Sequence, residues 1–177
     1  DCPNGQDLDL TVMASDATRA NWYVTVPGVS VSAADLALNA SAVSDPAPGG
    51  DGDGTLEVGE TAWLNLTVEN TGPLSLEGVT GVLSSTDSYV VVTDPNGVFG
   101  DIAGSGGTGS SAANSFRVSV SPQCPPGHTA SLTLPLSGDG GTYTHSENVG
   151  LAVDVAGSPL TGPCGPDAYG YYAYDTG

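Results

Sequence analysis

Lysine is absent from this chain and arginine stands only at positions 19 and 117, against 20 acidic residues. A net charge of −18 repels phosphate backbones and anionic headgroups, so nucleic acid is excluded as a partner and divalent cations become the natural counter-ions. No apolar run approaches the roughly 18 residues that a membrane helix needs, and no membrane insertion is expected. A basic-then-apolar leader is missing too. The chain opens on "DCPNG" without Met, as expected of a processed product or a part of a longer protein. Large apolar residues are scarce: Leu, Ile, Val and Phe make up about a fifth of the chain, beside 26 glycines and 13 prolines, near the border of disorder. Pattern, not composition, argues for a folded chain.

That pattern has a period of two. In "ADLALNASAV", Leu36, Leu38, Ala40 and Ala42 share one face. In "TAWLNLTVEN", Ala62, Leu64, Leu66 and Val68 alternate with Trp63, Asn65, Thr67 and Glu69. The same alternation places Phe116, Val118 and Val120 together, then Ala130 to Leu136, then Val149 to Val155. "SYVVVT" reads as a short strand buried on both faces. Turn signals separate these blocks, among them "ENTGPL", "DPNG", "AGSGGTGSS", "CPPGH" and "SGDGG". No helical period competes. The pattern predicts an all-β, antiparallel Ig-like β-sandwich with extended N- and C-terminal strands.

Three segments follow from it: an extended β segment over 1–32, the sandwich over 33–156, and a linker with a Tyr-rich strand over 157–177. Residues Leu8 to Val12 and Trp22 to Val26 alternate as well, either as added strands of this sandwich or as part of a neighbouring one.

The segment "DPAPGGDGDGTLEVGE" collects Asp45, Asp51, Asp53, Glu57 and Glu60 without a counter-cation. Calcium takes six to eight oxygens, and the EF-hand loop supplies them at alternating positions before a final bidentate Glu. With Glu60 as that last ligand, Glu57, the Thr55 carbonyl, Asp53 and Asp51 fall at ligand positions, and Gly54 at the invariant glycine. Gly49 occupies the first position without a side chain, and Asp45 is the substitute. The loop runs into a strand and not a helix, so the expectation is an EF-hand-like calcium loop between two β-strands. The competing reading is a solvated Asp/Gly turn.

The ordered landmarks "GDGDGTLEVGETAWLNLTVENTGPLSLEGVTGVLSSTDSYVVVTD", "FGDIAGSGG" and "FRVSVSPQCPPGHTASLTLPLSGDGG" resemble a bacterial extracellular Ig-like module of the CARDB type. Such modules recur in secreted peptidases and surface proteins. The resemblance covers about residues 43 to 155, and the tail "GPDAYGYYAYD" is similar to the linker and first strand that follow such modules. It implies an extracellular, non-catalytic scaffold or adhesion role. It names no partner, because a fold does not fix a function.

Three cysteines leave one over. Cys2 and Cys164 bracket the sandwich and are candidates for a bridge, with Cys124 free or interchain; pairing of Cys124 with either tail stays open. A Cys124–His128 nucleophile pair, a zinc set with His145 and a glycosidase carboxylate pair are weak readings beside rigid "CPPGH" turn chemistry and a calcium-type loop. Asn39 and Asn65 begin N-glycosylation sequons. The tail residues Tyr169, Tyr171, Tyr172 and Tyr174 suit a donor strand for an open sheet edge.

Together these features lead to the expectation of a secreted, cell-surface structural subunit of a filament, surface layer or adhesive assembly. It would be stabilised by Ca²⁺ and would self-associate, with a carbohydrate or cell-surface group as a further partner. The alternative is an accessory module of a secreted multidomain hydrolase.

Overall fold

A computed structural model describes residues 7–15, 18 and 21–155. Cys2, Cys164, Tyr169, Tyr171, Tyr172, Tyr174 and the 157–177 segment lie outside the described residues. The elements in chain order are strands β1 (Asp7–Ser15), β2 (Asn21–Ser30), β3 (Leu36–Ser44), β4 (Thr61–Asn70), β5 (Leu76–Val82), β6 (Ser84–Ser85), β7 (Val90–Asp94), β8 (Asn96–Ile102), β9 (Gly107–Ser110), β10 (Phe116–Val120), β11 (Thr129–Gly138) and β12 (Tyr143–Ala152). Single 3-10 turns sit at Ser111–Ala113 and Asp139–Gly141. No helix among the described residues is long and apolar enough to cross a membrane.

The sandwich has two antiparallel sheets, one ordered β3-β4-β10-β7 with β9 also on β4, the other β12-β11-β5-β8 with β6 on β11. The inward rows follow the alternation over Ala62 to Val68, Phe116 to Val120, Ala130 to Leu136 and Val149 to Val153. Val155, expected on the last of these, lies past the end of β12 and is exposed. Ala62, Leu64, Leu66 and Val68 of β4 face Ala130, Leu132, Leu134 and Leu136 of β11, with Phe116, Val118, Val149 and Leu151 in the same core. Phe99 and Phe116 meet in its middle, their ring centroids 6.2 Å apart. Apolar burial of this extent is the main term holding the two sheets together.

Two buried polar side chains mend the backbone where ladders stop. Between β9 and β10 the pairing to β4 lapses, and the Leu66 N–H donates to Ser111 Oγ at 2.9 Å. Asn70, in the "ENTG" landmark, accepts from the Asp35 and Gly72 amides and donates to the Leu74 carbonyl, fixing the β4–β5 connection. An unsatisfied buried amide would be costly, so both positions demand a polar side chain.

Three expectations are corrected. Ala40 and Ala42 are exposed, because the pairing of β3 with β4 shifts between Leu38 and Ala40, and beyond the bulge Val43 turns to the core instead. The "SYVVVT" strand is not buried on both faces: Val90 is in the core while Val91 points to solvent. "DPNG" and "AGSGGTGSS" are not pure turns, since Asn96 and Gly97 open β8 and Gly107–Ser110 form β9.

β1 and β2 form a two-stranded sheet of their own and add no strand to either sandwich sheet.

Candidate metal centre

The loop from Asp45 to Glu60 leaves β3 and returns into β4. Asp45 is 1% exposed, and its two carboxylate oxygens accept from Gly54 N at 2.8 Å and Gly52 N at 3.0 Å. Burial alone pushes this carboxyl up, but the Gly54 and Gly52 amides outweigh it and hold it below the ordinary Asp value. Gly52 and Gly54 are at φ +90° and +86°, a backbone that glycine adopts freely, and this aims both amides inward.

The remaining carboxylates wind the loop on itself. Asp51 Oδ1 accepts from Asp53 N at 3.1 Å, and Asp53 Oδ1 from Thr55 N at 2.7 Å. Glu60 accepts from Asp51 N at 3.2 Å and Glu57 N at 3.0 Å, so the last acidic residue spans the loop. One carboxylate oxygen each from Asp45, Asp51 and Asp53 lie within 4.8 Å of one another, as do those from Asp51, Glu57 and Glu60. Asp51 belongs to both triads. These acidic groups could hold a metal ion, since carboxylate oxygens keep lone pairs beyond those their amide donors use. All donors are oxygens, which suits a hard cation.

Gly49 lacks a side chain for a packing reason. A Cβ there would lie 2.7 Å from the Thr61 carbonyl oxygen, while Thr61 N donates to the Gly49 carbonyl at 2.9 Å. The chain closes on itself at the first position of the loop, and the buried Asp45 carboxylate reaches in from the preceding turn.

The centre is tied to the rest of the sandwich by backbone contacts that the sequence did not reveal. Leu56 anchors it in the core, and its carbonyl accepts from Asp154 N at 2.8 Å beside a parallel bridge of Glu57 with Asp154. Glu60 O accepts from Val120 N at 2.8 Å. The loop therefore holds the end of β10 and the chain leaving β12. Such bridges involve backbone groups, for which a sequence carries no signal.

A second polar cluster lies in the "CPPGH" turn. His128 Nε2 is 2.8 Å from Asp87 Oδ2, and Asp87 Oδ1 accepts from Tyr89 N and Val90 N at the start of β7. The Tyr89 amide, then the His128 pairing, holds Asp87 below its ordinary value against the upward push of burial. Cys124 is buried and has no cysteine partner among the described residues; burial, with Asp87 adding to it, pushes its thiol up. That opposes thiolate chemistry. His145 pairs with Glu147 at 2.9 Å and shares no metal-type group with Cys124 or His128 among the described residues.

Of the sequon residues, Asn39 donates to Glu69 at 2.7 Å and Asn65 accepts from Ser115 Oγ. Asn65 lines an open groove of about 510 Å³ with Trp63, Ser44 and Asp94, and Arg117 stacks on Trp63 at 5.0 Å. Comparison with known protein families and with curated proteins finds no match to this chain.

Proposed function

We propose that this chain is a non-catalytic structural module of an extracellular assembly, its sandwich stabilised by calcium held in the 45–60 loop. The observation that supports it is the buried Asp45 carboxylate meeting Asp51 and Asp53 in a loop whose backbone holds β10 and the exit of β12. Asp45, Asp51, Asp53, Glu57, Glu60 and the Thr55 carbonyl would hold the ion. Calcium would neutralise repelling carboxylates and lock the entry into β4, an architectural task that needs no substrate.

The test is thermal unfolding in chelator and in millimolar calcium. Binding to the native state alone should raise Tm, by roughly 5–10 °C at about a hundredfold excess over Kd. Asp53→Ala should abolish the response. If calcium leaves Tm untouched, the assignment fails. A catalytic domain joined beyond residue 177 in the gene product would favour the alternative, an accessory module of a secreted hydrolase.

A further inference from the structure

The β1–β2 hairpin presents an uncovered apolar face. Its register opposes Leu10 to Val26, Val12 to Val24 and Ala14 to Trp22, so all six side chains stand on one side of the sheet. Leu10, Val12, Trp22, Val24 and Val26 are between 43% and 58% exposed, and Met13 and Tyr23 add apolar surface on the other side. A two-stranded sheet is marginal in water without a third strand or a covering layer. Among the described residues both of its outer edges are unpaired, and that of β1 contains no proline, whereas Pro27 lies within β2.

The two ends of the chain leave the sandwich from opposite poles. The hairpin joins β3 at Leu36, whose N–H donates to Tyr143 Oη at the start of β12. Residue 155 departs at the other end of β12, where Asp154 is bonded to Leu56 beyond the far end of β3. These poles are about 30 Å apart, the length of a nine-residue strand. Reaching the Leu36 pole from residue 155 would take about 30 Å of the about 40 Å that residues 156–167 span when fully extended. The hairpin of a second copy can instead sit at the exit pole.

Charge permits the pairing of these segments. Two copies carrying −18 each repel, so contact is favoured where charge is absent. Leu10–Ser15 and Asn21–Ser30 contain no charged residue, and neither does Ala168–Tyr174, "AYGYYAY".

We propose that the Tyr-rich segment 168–174 of a second copy adds as a third strand to the outer edge of β1, its alternate tyrosines extending the Leu10/Val12/Trp22/Val24/Val26 face. The contact is heterologous, the acceptor at one pole and the donor at the other, so repetition gives an open head-to-tail chain. It deepens the structural reading proposed above, of which it names the partner and the surface.

The test uses three forms of the 1–177 chain, all with Trp63→Phe, which leaves Trp22 as the single indole where it is retained. One is otherwise unchanged, one carries Val12→Thr and Trp22→Ser, and one carries serine at Tyr169, Tyr171, Tyr172 and Tyr174. Sedimentation should show concentration-dependent oligomers for the first, with a blue shift of Trp22 emission. Each of the others should self-associate at least about tenfold more weakly, as expected when aromatic anchors are removed. Mixed together, they should form a 1:1 heterodimer that grows no further, since each retains one good end. A synthetic peptide of residues 165–177 should dissolve the oligomers of the unchanged protein, a readout that depends on no variant folding. A monomeric unchanged protein, assembly of the serine variant through hairpins alone, a mixture that stays monomeric, or an ineffective peptide would each overturn the proposal. Assembly that persists in chelator without a calcium effect on Tm refutes the calcium reading alone; a calcium-responsive monomer refutes this inference alone.

Discussion

Asp45 and Asp87 carry opposite ends of the sequence argument. The first belongs to a loop whose acidic spacing can be counted, and counting back to Gly49 made Asp45 the expected substitute there. The second gave no signal, because its value lies in the backbone amides of Tyr89 and Val90 and in a histidine 41 residues away. Both carboxyls are held below the ordinary value. A carboxyl lowered on folding contributes stability above its unfolded pKa of about 3.9, and the contribution is lost as pH falls through the folded value. Tm should therefore stay level above about pH 5 and decline below about pH 4. Asp87→Asn keeps the size but loses an ionised acceptor, so it should lower Tm at pH 7 and flatten the acid limb. An acid limb as steep in Asp87→Asn as in the parent would show that Asp87 contributes little to it. Tm by circular dichroism across pH 3–7 reads both effects.

Strands were legible where one face is strictly apolar, as in β4 and β11, and poorly legible where packing accepts glycine or polar side chains. β8 is such a case. Its Gly97 is buried under Phe116, and a Cβ there would press into the aromatic ring. The residue that looked like a turn former is in the strand because the core has no room for anything larger. Gly97→Ala should cost about 1–3 kcal/mol by overpacking, or roughly 3–10 °C in Tm. Gly150→Ala, with nothing within 4 Å of the added Cβ, should stay within about 0.5 kcal/mol. Equal effects of the two substitutions would refute the packing account. The first half of β12 escaped the pattern for a related reason: its half-buried row is Tyr143, His145 and Glu147, and Tyr143 is kept there by the hydrogen bond from Leu36 N. The bulge in β3 was invisible too, since a shifted register is a property of two strands together and leaves no trace in one.

At the scale of the whole molecule, the charge that argues against nucleic acid also destabilises the compact state through self-repulsion. Any salt should relieve part of it, which could pass for a metal effect. The two are separable by range. Screening acts over the Debye length, about 30 Å at 0.01 M and about 8 Å at 0.15 M, and should raise Tm gradually with any monovalent salt. A cation held among Asp45, Asp51, Asp53, Glu57 and Glu60 acts within a few ångströms and saturates with its own Kd. Sodium chloride raised from 0.01 to 0.15 M should lift Tm by a few degrees in both the parent and Asp53→Ala. Micromolar to millimolar calcium at constant 0.15 M ionic strength should then lift only the parent, along a saturating curve, with magnesium weaker because it demands a tighter octahedron. If calcium and sodium act alike at matched ionic strength, the loop is a solvated acidic turn and the stabilisation is screening.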